Sequence, residues 1–457
     1  MRAVFRCGLL ALACCACAAM RCAPAAADTD VLLAGAARVE ITPDPKLTNW
    51  VSHKPYDGIL DPIFARALVL SSATNKAAIL CWDLVDAREG VVAKVRQRIA
   101  RDLGLAQSNI LVAASHTHSA PWSPVISDPL LAQEQKDIGP VMRDPAFQAW
   151  ADRLIESSVE AVRQASAAQK PVTLAIGRAY VGEAVFNRRP RKPDGKVETM
   201  YQPADPYALP RGLRFSPTDP TLTVLSFRDH EGRPVATLFH LACHPVAVYP
   251  FHKGISPDWP GLVATPLEAA LGGRAMFLQG CAGDIVPARR GLAACDRMAR
   301  LIAERALAAL KQTETLPAGP LRALSATVSL PLTEAARKDM QQDRLAAEVQ
   351  VLVCGPLALV ALPGEPLIGL ALAIQQRSPF PHTLVLGYAN GYGIQYVGLP
   401  GEKALGGYEM GPVGAGTDEC GQLLVDTALR LLQEQWELAL LSGAPRPQPS
   451  LPGELPR

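Results

Sequence analysis

The order of apolar and polar positions divides the chain into short apolar runs alternating with longer amphipathic ones. Ala65–Leu70 and Ala77–Leu84 are apolar runs joined by Ser71-Ser72-Ala73-Thr74-Asn75-Lys76, which predicts a hairpin. Apolar runs at Asn109–Ala114, Val172–Val181, Thr221–Phe227, Val235–Cys243, Ala275–Leu278, Val349–Leu362 and Thr383–Gly387 predict strands. Helical spacing predicts helices over Glu89–Leu103, Ala146–Ala168, Leu262–Leu271, Asp296–Lys311, Ala335–Glu348, Leu367–Gln376 and Asp418–Leu441. In Asp296–Lys311 the residues Met298, Leu301, Ile302 and Leu310 share one face, the pattern of a helix laid over a core. No sequence repeat of solenoid or propeller length is present. The alternation predicts an α/β fold: one large domain, mostly one sheet system with mixed strands, covered by helices.

Two irregular stretches interrupt this pattern. Arg188–Pro217 carries six prolines and several charges, and is too long for an ordinary connection, so it reads as an active-site loop. Gly398–Gly416 is glycine-rich and reads as a second loop over a site. Beyond Gly443 the chain is proline-rich and predicts a disordered tail over 444–457.

Composition first changes the picture at the N-terminus. Arg2 and Arg6 precede the apolar run Gly8–Ala13, and Ala25-Ala26-Ala27 closes the segment before Asp28, the pattern of a secretory signal peptide over 1–27. The mature domain is then expected over 28–443, exported to the periplasm or the medium. A lipidated cysteine at Cys14, Cys15, Cys17 or Cys22 is the weaker alternative, because the residues before each fit that signal poorly. No later apolar run approaches the roughly 18 residues of a membrane span, so no transmembrane segment is expected.

Removing the leader leaves 42 basic against 43 acidic residues and six of the 11 cysteines. That balance, with Lys and Arg spread along the chain, excludes a nucleic-acid partner. Cys81, Cys243, Cys281, Cys295, Cys354 and Cys420 contain no C-x-x-C pair, so a cysteine-based zinc or redox motif is excluded. Structural disulfides among them stay open, and nothing in the pattern sets an oligomeric state.

The candidate chemistry lies at the ends of predicted strands. Ser115-His116-Thr117-His118-Ser119-Ala120-Pro121 follows Asn109–Ala114, and in extended backbone His116 and His118 would face one side. His244-Pro245 closes Val235–Cys243, and Pro363-Gly364-Glu365 follows Val349–Leu362. Gln279-Gly280-Cys281-Ala282-Gly283-Asp284 and Asn390-Gly391-Tyr392-Gly393-Ile394-Gln395-Tyr396 follow two further strands. Each has a plain structural explanation alone: loop histidines, a glutamate opening a helix, an aspartate in a turn, loop-packing tyrosines. Five strand ends delivering His, His, His, Glu and Tyr together suit a catalytic zinc with nitrogen and oxygen ligands and an open position.

These motifs, in this order, resemble the neutral (non-lysosomal) ceramidase family, zinc amidohydrolases that split N-acylsphingosine into sphingosine and fatty acid. Gly35-Ala36-Ala37-Arg38-Val39-Glu40-Ile41-Thr42-Pro43, Asp61-Pro62-Ile63-Phe64-Ala65-Arg66-Ala67 and Asp83 also fit, so the resemblance runs from about residue 33 to 440. It implies one Zn²⁺ per chain, held by His116, His244, Glu365 and Tyr396, with Tyr392 the alternative to Tyr396. It implies that His118 and Arg188 face the substrate and assist the chemistry, with Asn187 and Asp284 as further site-lining candidates. The expected substrate is a lipid-like N-acyl amide.

One position departs from the family. Its Gly-Asp-x-Ser-Pro reads Gly283-Asp284-Ile285-Val286-Pro287 here, so Val286 stands where the proposed serine nucleophile would be. The chain length also leaves no room for the family's C-terminal immunoglobulin-like domain. The expected reaction is therefore direct attack by zinc-activated water on the amide, with His118 as proton carrier and Arg188 steadying a substrate oxygen. The competing expectations are hydrolysis of another N-acyl amide, such as an N-acyl amino acid, and a catalytically silent zinc- or lipid-binding homologue.

Overall fold

A computed structural model describes residues 31–441 except Val51 and Pro412. The expected leader and the proline-rich tail lie outside the described residues. The chain opens with β1 (Leu33–Glu40), β2 (Phe64–Ser71), β3 (Lys76–Trp82), α1 (Glu89–Leu103) and β4 (Ile110–Ala114). It continues through α2 (Ala132–Asp137), α3 (Gly139–Met142), α4 (Pro145–Ala167), β5 (Lys170–Pro171), β6 (Thr173–Tyr180) and β7 (Val185–Asn187). After the long irregular loop come β8 (Thr221–Arg228), β9 (Pro234–Leu241), α5 (Asp258–Leu271), β10 (Arg274–Gln279), β11 (Ile285–Pro287), α6 (Leu292–Ala309) and β12 (Glu314–Thr315). The last part holds β13 (Leu321–Pro331), α7 (Glu334–Met340), β14 (Arg344–Cys354), β15 (Leu357–Ala361), β16 (Glu365–Pro366), α8 (Ile368–Arg377), β17 (His382–Leu386), β18 (Tyr396–Val397), α9 (Glu402–Leu405) and α10 (Cys420–Leu441).

Instead of one sheet system, three larger sheets form, ordered β4-β3-β2-β1-β5, β10-β9-β8-β6-β12 and β13-β14-β15-β17, with two short pairs, β11-β7 and β16-β18. Each larger sheet contains the same unit: an antiparallel pair, then a helix crossing back to a parallel strand. The units are β2-β3-α1-β4, β8-β9-α5-β10 and β14-β15-α8-β17. No sequence repeat accompanies this threefold recurrence, because the topology needs only apolar residues at the strand positions.

The inner faces of all three sheets meet in one apolar cluster, to which Leu68, Ile79, Leu225, Leu278, Leu359 and Leu384 contribute. Their outer faces are covered by helices, α1 and α4 on the first sheet and α5, α6, α8 and α10 on the others. Strands buried on both faces explain the unbroken apolar runs of the sequence. Ala113 bridges to Ala389, and Gly280 to Leu386, so strand ends of different sheets converge at one end of the core.

The segment Ala335–Glu348 departs from its helical expectation. Helix α7 ends at Met340, where Gln341 turns left-handed at φ +54°, and Arg344 already starts β14. The apolar run Val349–Leu362 is split by a turn at Gly355, φ +55°, so it gives two paired strands rather than one. Antiparallel pairing decides both: β13 pairs with the chain from Arg344 onward, and β15 folds back on β14 across Gly355, so tertiary pairing overrides local propensity. All six cysteines in the described region are buried and free, which removes the disulfide option there.

Candidate metal centre

Four of the five motifs named from sequence bring side chains to the converging strand ends. Chain past β4 supplies His116 and His118, chain past β9 supplies His244, β16 carries Glu365, and the segment past β17 carries Tyr392 and Tyr396. His116 is not extended: at φ +69° its backbone is left-handed. The two histidines of the motif nevertheless meet, Nε2 to Nε2, at 3.1 Å. Glu365 and Tyr396 face one another in the β16-β18 pair. Gly364 makes that pairing close, because at φ +71° a Cβ there would lie 2.4 Å from the Gln395 carbonyl oxygen.

The protons on the central imidazoles are set by backbone carbonyls. His116 Nδ1–H donates to Val85 O at 2.5 Å, and His244 Nδ1–H donates to Ala282 O at 2.5 Å. In the neutral tautomer that these bonds select, each Nε2 carries the lone pair. Both point at one carboxylate oxygen, Glu365 Oε2, at 3.1 Å from His116 and 3.2 Å from His244. Burial pushes His244 down to about 4, so at neutral pH it is uncharged. Burial pushes the Glu365 carboxyl up, yet the adjoining His116 and His244 hold it well below the usual range, so it is ionised. Without a metal, that lowering needs a proton on an imidazole Nε2 shared with Glu365 Oε2; a cation that displaces this proton meets two lone pairs and an anionic oxygen converging on one point.

His244 Nε2 and Glu365 Oε2 are fully buried and have no hydrogen-bond partner. Buried acceptors without donors cost about 1–3 kcal/mol each, more when charged, and a cation among them removes that cost. The donor set of imidazole nitrogens and a carboxylate, each held from behind by a hydrogen bond, fits a divalent transition metal. The three histidines also qualify among themselves, their ligand atoms lying within 4.8 Å of one another.

The two tyrosines have distinct surroundings. Tyr392 donates its hydroxyl to Glu365 Oε1 at 2.5 Å, which turns Oε2 toward the histidines. Tyr396 accepts from Arg188 Nη2 at 3.1 Å. Arg188 is buried and held at both ends, donating to Glu409 Oε1 at 2.6 Å and to Gly283 O at 2.7 Å. Asn187 and Asp284 meet each other instead of the cavity: Asn187 Nδ2 donates to Asp284 Oδ2 at 2.9 Å, and Asp284 Oδ1 accepts from Ile368 N at 2.8 Å, capping the start of α8.

Several site residues escaped the sequence reading. Glu409, fully buried, binds Arg188 and Arg189, while Glu402 binds Arg189 and Arg191, so the two long loops are clasped by ion pairs. Tyr388 stacks on His116 with ring centroids 4.2 Å apart. Trp50 and Trp122 pack edge to face at 5.2 Å, and Trp50 also meets His118 at 5.6 Å. Trp122 and Tyr388 adjoin motifs and Glu402 and Glu409 lie in the glycine-rich loop, but Trp50 carries no signal, since aromatic and acidic loop residues are common everywhere.

A cavity of about 330 Å³ opens over the histidines and Glu365, walled by Trp50, Trp122, Leu131, Ile138, Tyr396 and Tyr408 among others. That is the lower range of ligand pockets, and its walls are mainly apolar with a few polar groups at the floor. Val286 does not offer a substitute nucleophile. It is fully buried in β11, packed with Phe186, Val246 and Ala288. Cys281, two residues past the end of β10, is also fully buried, and burial pushes its thiol above the ordinary range.

Residues 51–329 match the family model for neutral/alkaline non-lysosomal ceramidase, N-terminal. Among solved structures, the crystal structure of neutral ceramidase from Pseudomonas aeruginosa superposes with a TM-score of 0.70 at 18% identity, covering 89% of this chain and 75% of that one. A ceramidase complexed with C2 superposes with a TM-score of 0.69 at 19% identity, covering 93% and 77%. At these identities the likeness is one of fold. No curated protein matches by sequence.

Proposed function

This chain belongs to the neutral/alkaline non-lysosomal ceramidase family, and from that membership we propose that it is an exported zinc-dependent hydrolase of the amide bond in a lipid-like N-acyl amide, ceramide foremost. The observation that carries the reading is the buried convergence of the His116 and His244 Nε2 lone pairs on Glu365 Oε2. In this reading His116, His244, Glu365 and Tyr396 hold one zinc ion, and Tyr392 orients Glu365 from behind. Tyr396 is preferred over Tyr392 because the Tyr392 hydroxyl is already given to Glu365.

Bound zinc would polarise the amide carbonyl and lower the pKa of a water toward ~7. His118, in contact with His116 and at the edge of the cavity, would carry the proton from the attacking water to the leaving nitrogen. Arg188 acts through Tyr396, its guanidinium fixing the phenol oxygen while Glu409 fixes the guanidinium. The apolar walls exclude water and hold the acyl chain. Val286 supports a single displacement by water over an acyl-enzyme. The same valine favours one second reading, a silent homologue that binds zinc and lipid without turnover.

The test is zinc content by mass spectrometry and amide cleavage on short- and long-chain ceramides and N-acyl amino acids. Stoichiometric zinc that is lost in a His116→Ala, His244→Ala double variant, with ceramide cleaved, is expected. Zinc unchanged in that variant overturns the ligand set, and no turnover on any amide leaves the silent homologue.

A further inference from the structure

We propose that Arg290 forms a carboxylate subsite beside the metal centre, which extends the substrates from neutral ceramide to N-acyl amides whose amine part carries a carboxylate, the N-acyl amino acids. The inference rests on the reading of the chain as an N-acyl amide hydrolase and deepens it. Arg290 lies three residues past β11, and Gly291 N donates to Ala247 O at 2.7 Å, which holds this turn against the chain that follows His244. Ala288, two residues before Arg290, packs in one apolar cluster with Tyr249, and Tyr249 meets the His118 ring at 5.6 Å between centroids. Tyr201 stands under the Arg188 guanidinium at 5.7 Å and meets Tyr408, a residue of the cavity wall, at 5.8 Å between centroids. The Arg290 charge acts on Arg188, Tyr249, Tyr201 and His118 alike. The cation therefore sits among the residues that border the cavity on this flank.

An exposed arginine without a partner is ordinary, but Arg290 is half-buried and its Nε is fully buried with no hydrogen-bond partner. Among the described residues its guanidinium has no ion pair either. The strongest charge acting on it is a second cation, Arg188, whose acid, Glu409, is shared with Arg189. The next is Asp258, whose oxygens are taken by the backbone N–H groups of Ala247, Val248 and Trp259. Burial and Arg188 push the guanidinium down to about 10, so it remains a cation at neutral pH. A buried donor without an acceptor and a cation beside a cation both cost stability, and one bound oxyanion offsets both. A carboxylate matches the guanidinium fork. With the amide carbonyl at the metal and the acyl chain along Trp122, Leu131 and Ile138, the amine part is left to the flank of Tyr249, Tyr201 and Arg290. A carboxylate close to the amide nitrogen meets the free cation there.

The test compares zinc-loaded wild type, Arg290→Gln and Arg290→Lys on N-octanoylglycine, its methyl ester and a short-chain ceramide. The wild type should cleave N-octanoylglycine. Arg290→Gln should raise its KM about 10-fold with kcat kept, the lower end for a hydrogen bond to a charged group, and should leave the ester and the ceramide unchanged. Arg290→Lys, which keeps the charge but not the fork, should recover part of the loss. An equal change on all three substrates, or no change on N-octanoylglycine, overturns the subsite. So does a wild type that cleaves the ceramide and the ester but not N-octanoylglycine. Octanoate inhibition that weakens in Arg290→Gln, with the KM for N-octanoylglycine unmoved, overturns it in favour of a site for the acid product. If no amide is cleaved, the hydrolase reading fails by itself and calorimetry decides the subsite. N-octanoylglycine binding that weakens in Arg290→Gln while ester binding holds then upholds it, and equal binding overturns it.

Discussion

Replacing Tyr392 by Phe removes one oxygen and tests whether Glu365 is a metal ligand held in place from behind. The ring is retained by Trp122, 5.4 Å away between centroids, and by the Arg88 guanidinium over its face at 5.2 Å, so packing should change little. What is lost is a buried 2.5 Å hydrogen bond to an ionised carboxylate. Such bonds contribute roughly 1.5–3 kcal/mol, which corresponds to about 10- to 150-fold in an equilibrium constant, and loss of a group that orients a metal ligand costs about 10- to 100-fold in affinity. Zinc affinity measured by competition with a chelator should fall within that span. Amide cleavage should return once zinc is raised above the new dissociation constant. Unchanged affinity would mean that Glu365 does not bind the metal, or that Tyr392 does not orient it. A variant that cannot be reloaded at any zinc concentration would make Tyr392 itself the ligand.

Three further outcomes follow from the geometry. Burial pushes Asp258 up to about 6, against the pull of backbone N–H groups of Val248, Trp259 and Ala247. Its folded-state pKa exceeds the ordinary aspartate value, so its contribution is full below about pH 4 and is lost as pH rises through about 6. Denaturant unfolding of metal-free protein should therefore show wild type losing up to about 3 kcal/mol relative to Asp258→Asn over that interval, and a constant difference would refute the assignment. Val286→Ser should cost roughly 1–3 kcal/mol by placing a hydroxyl in an apolar cluster and should leave turnover unchanged; a pre-steady-state burst of amine release by the wild type would overturn the single-displacement reading. Glu409→Gln removes the charge that Arg188 and Arg189 share in the interior. A loss of about 3–5 kcal/mol in unfolding free energy, with a fall in kcat, is expected, and wild-type stability would show that the clasp contributes nothing.

Much of this molecule was legible along the chain. The hairpin Ala65–Leu84, the helix Glu89–Leu103 and the helix ending near Leu271 were readable because their periodicity is long and their neighbours are polar. His116, His244 and Glu365 were readable as a set because each follows an apolar run, and ends of parallel strands are where such folds gather chemistry. The first half of β14 was not, since Arg344–Glu348 is as good a helix as a strand locally and only the partner strand decides; its partner β13, with mostly half-buried positions, carries no clear apolar run.

Sequence alone determined which residue types stand at the strand ends, and that the position after Asp284-Ile285 carries no nucleophile. The tertiary structure decided how those residues act. Carbonyls of Val85 and Ala282 choose the imidazole tautomers, Tyr392 turns the carboxylate, and Glu409 holds Arg188, all from segments far away in the chain. Tautomer, orientation and pairing are properties of contacts across sheets, and the linear order of residues carries no distance between them.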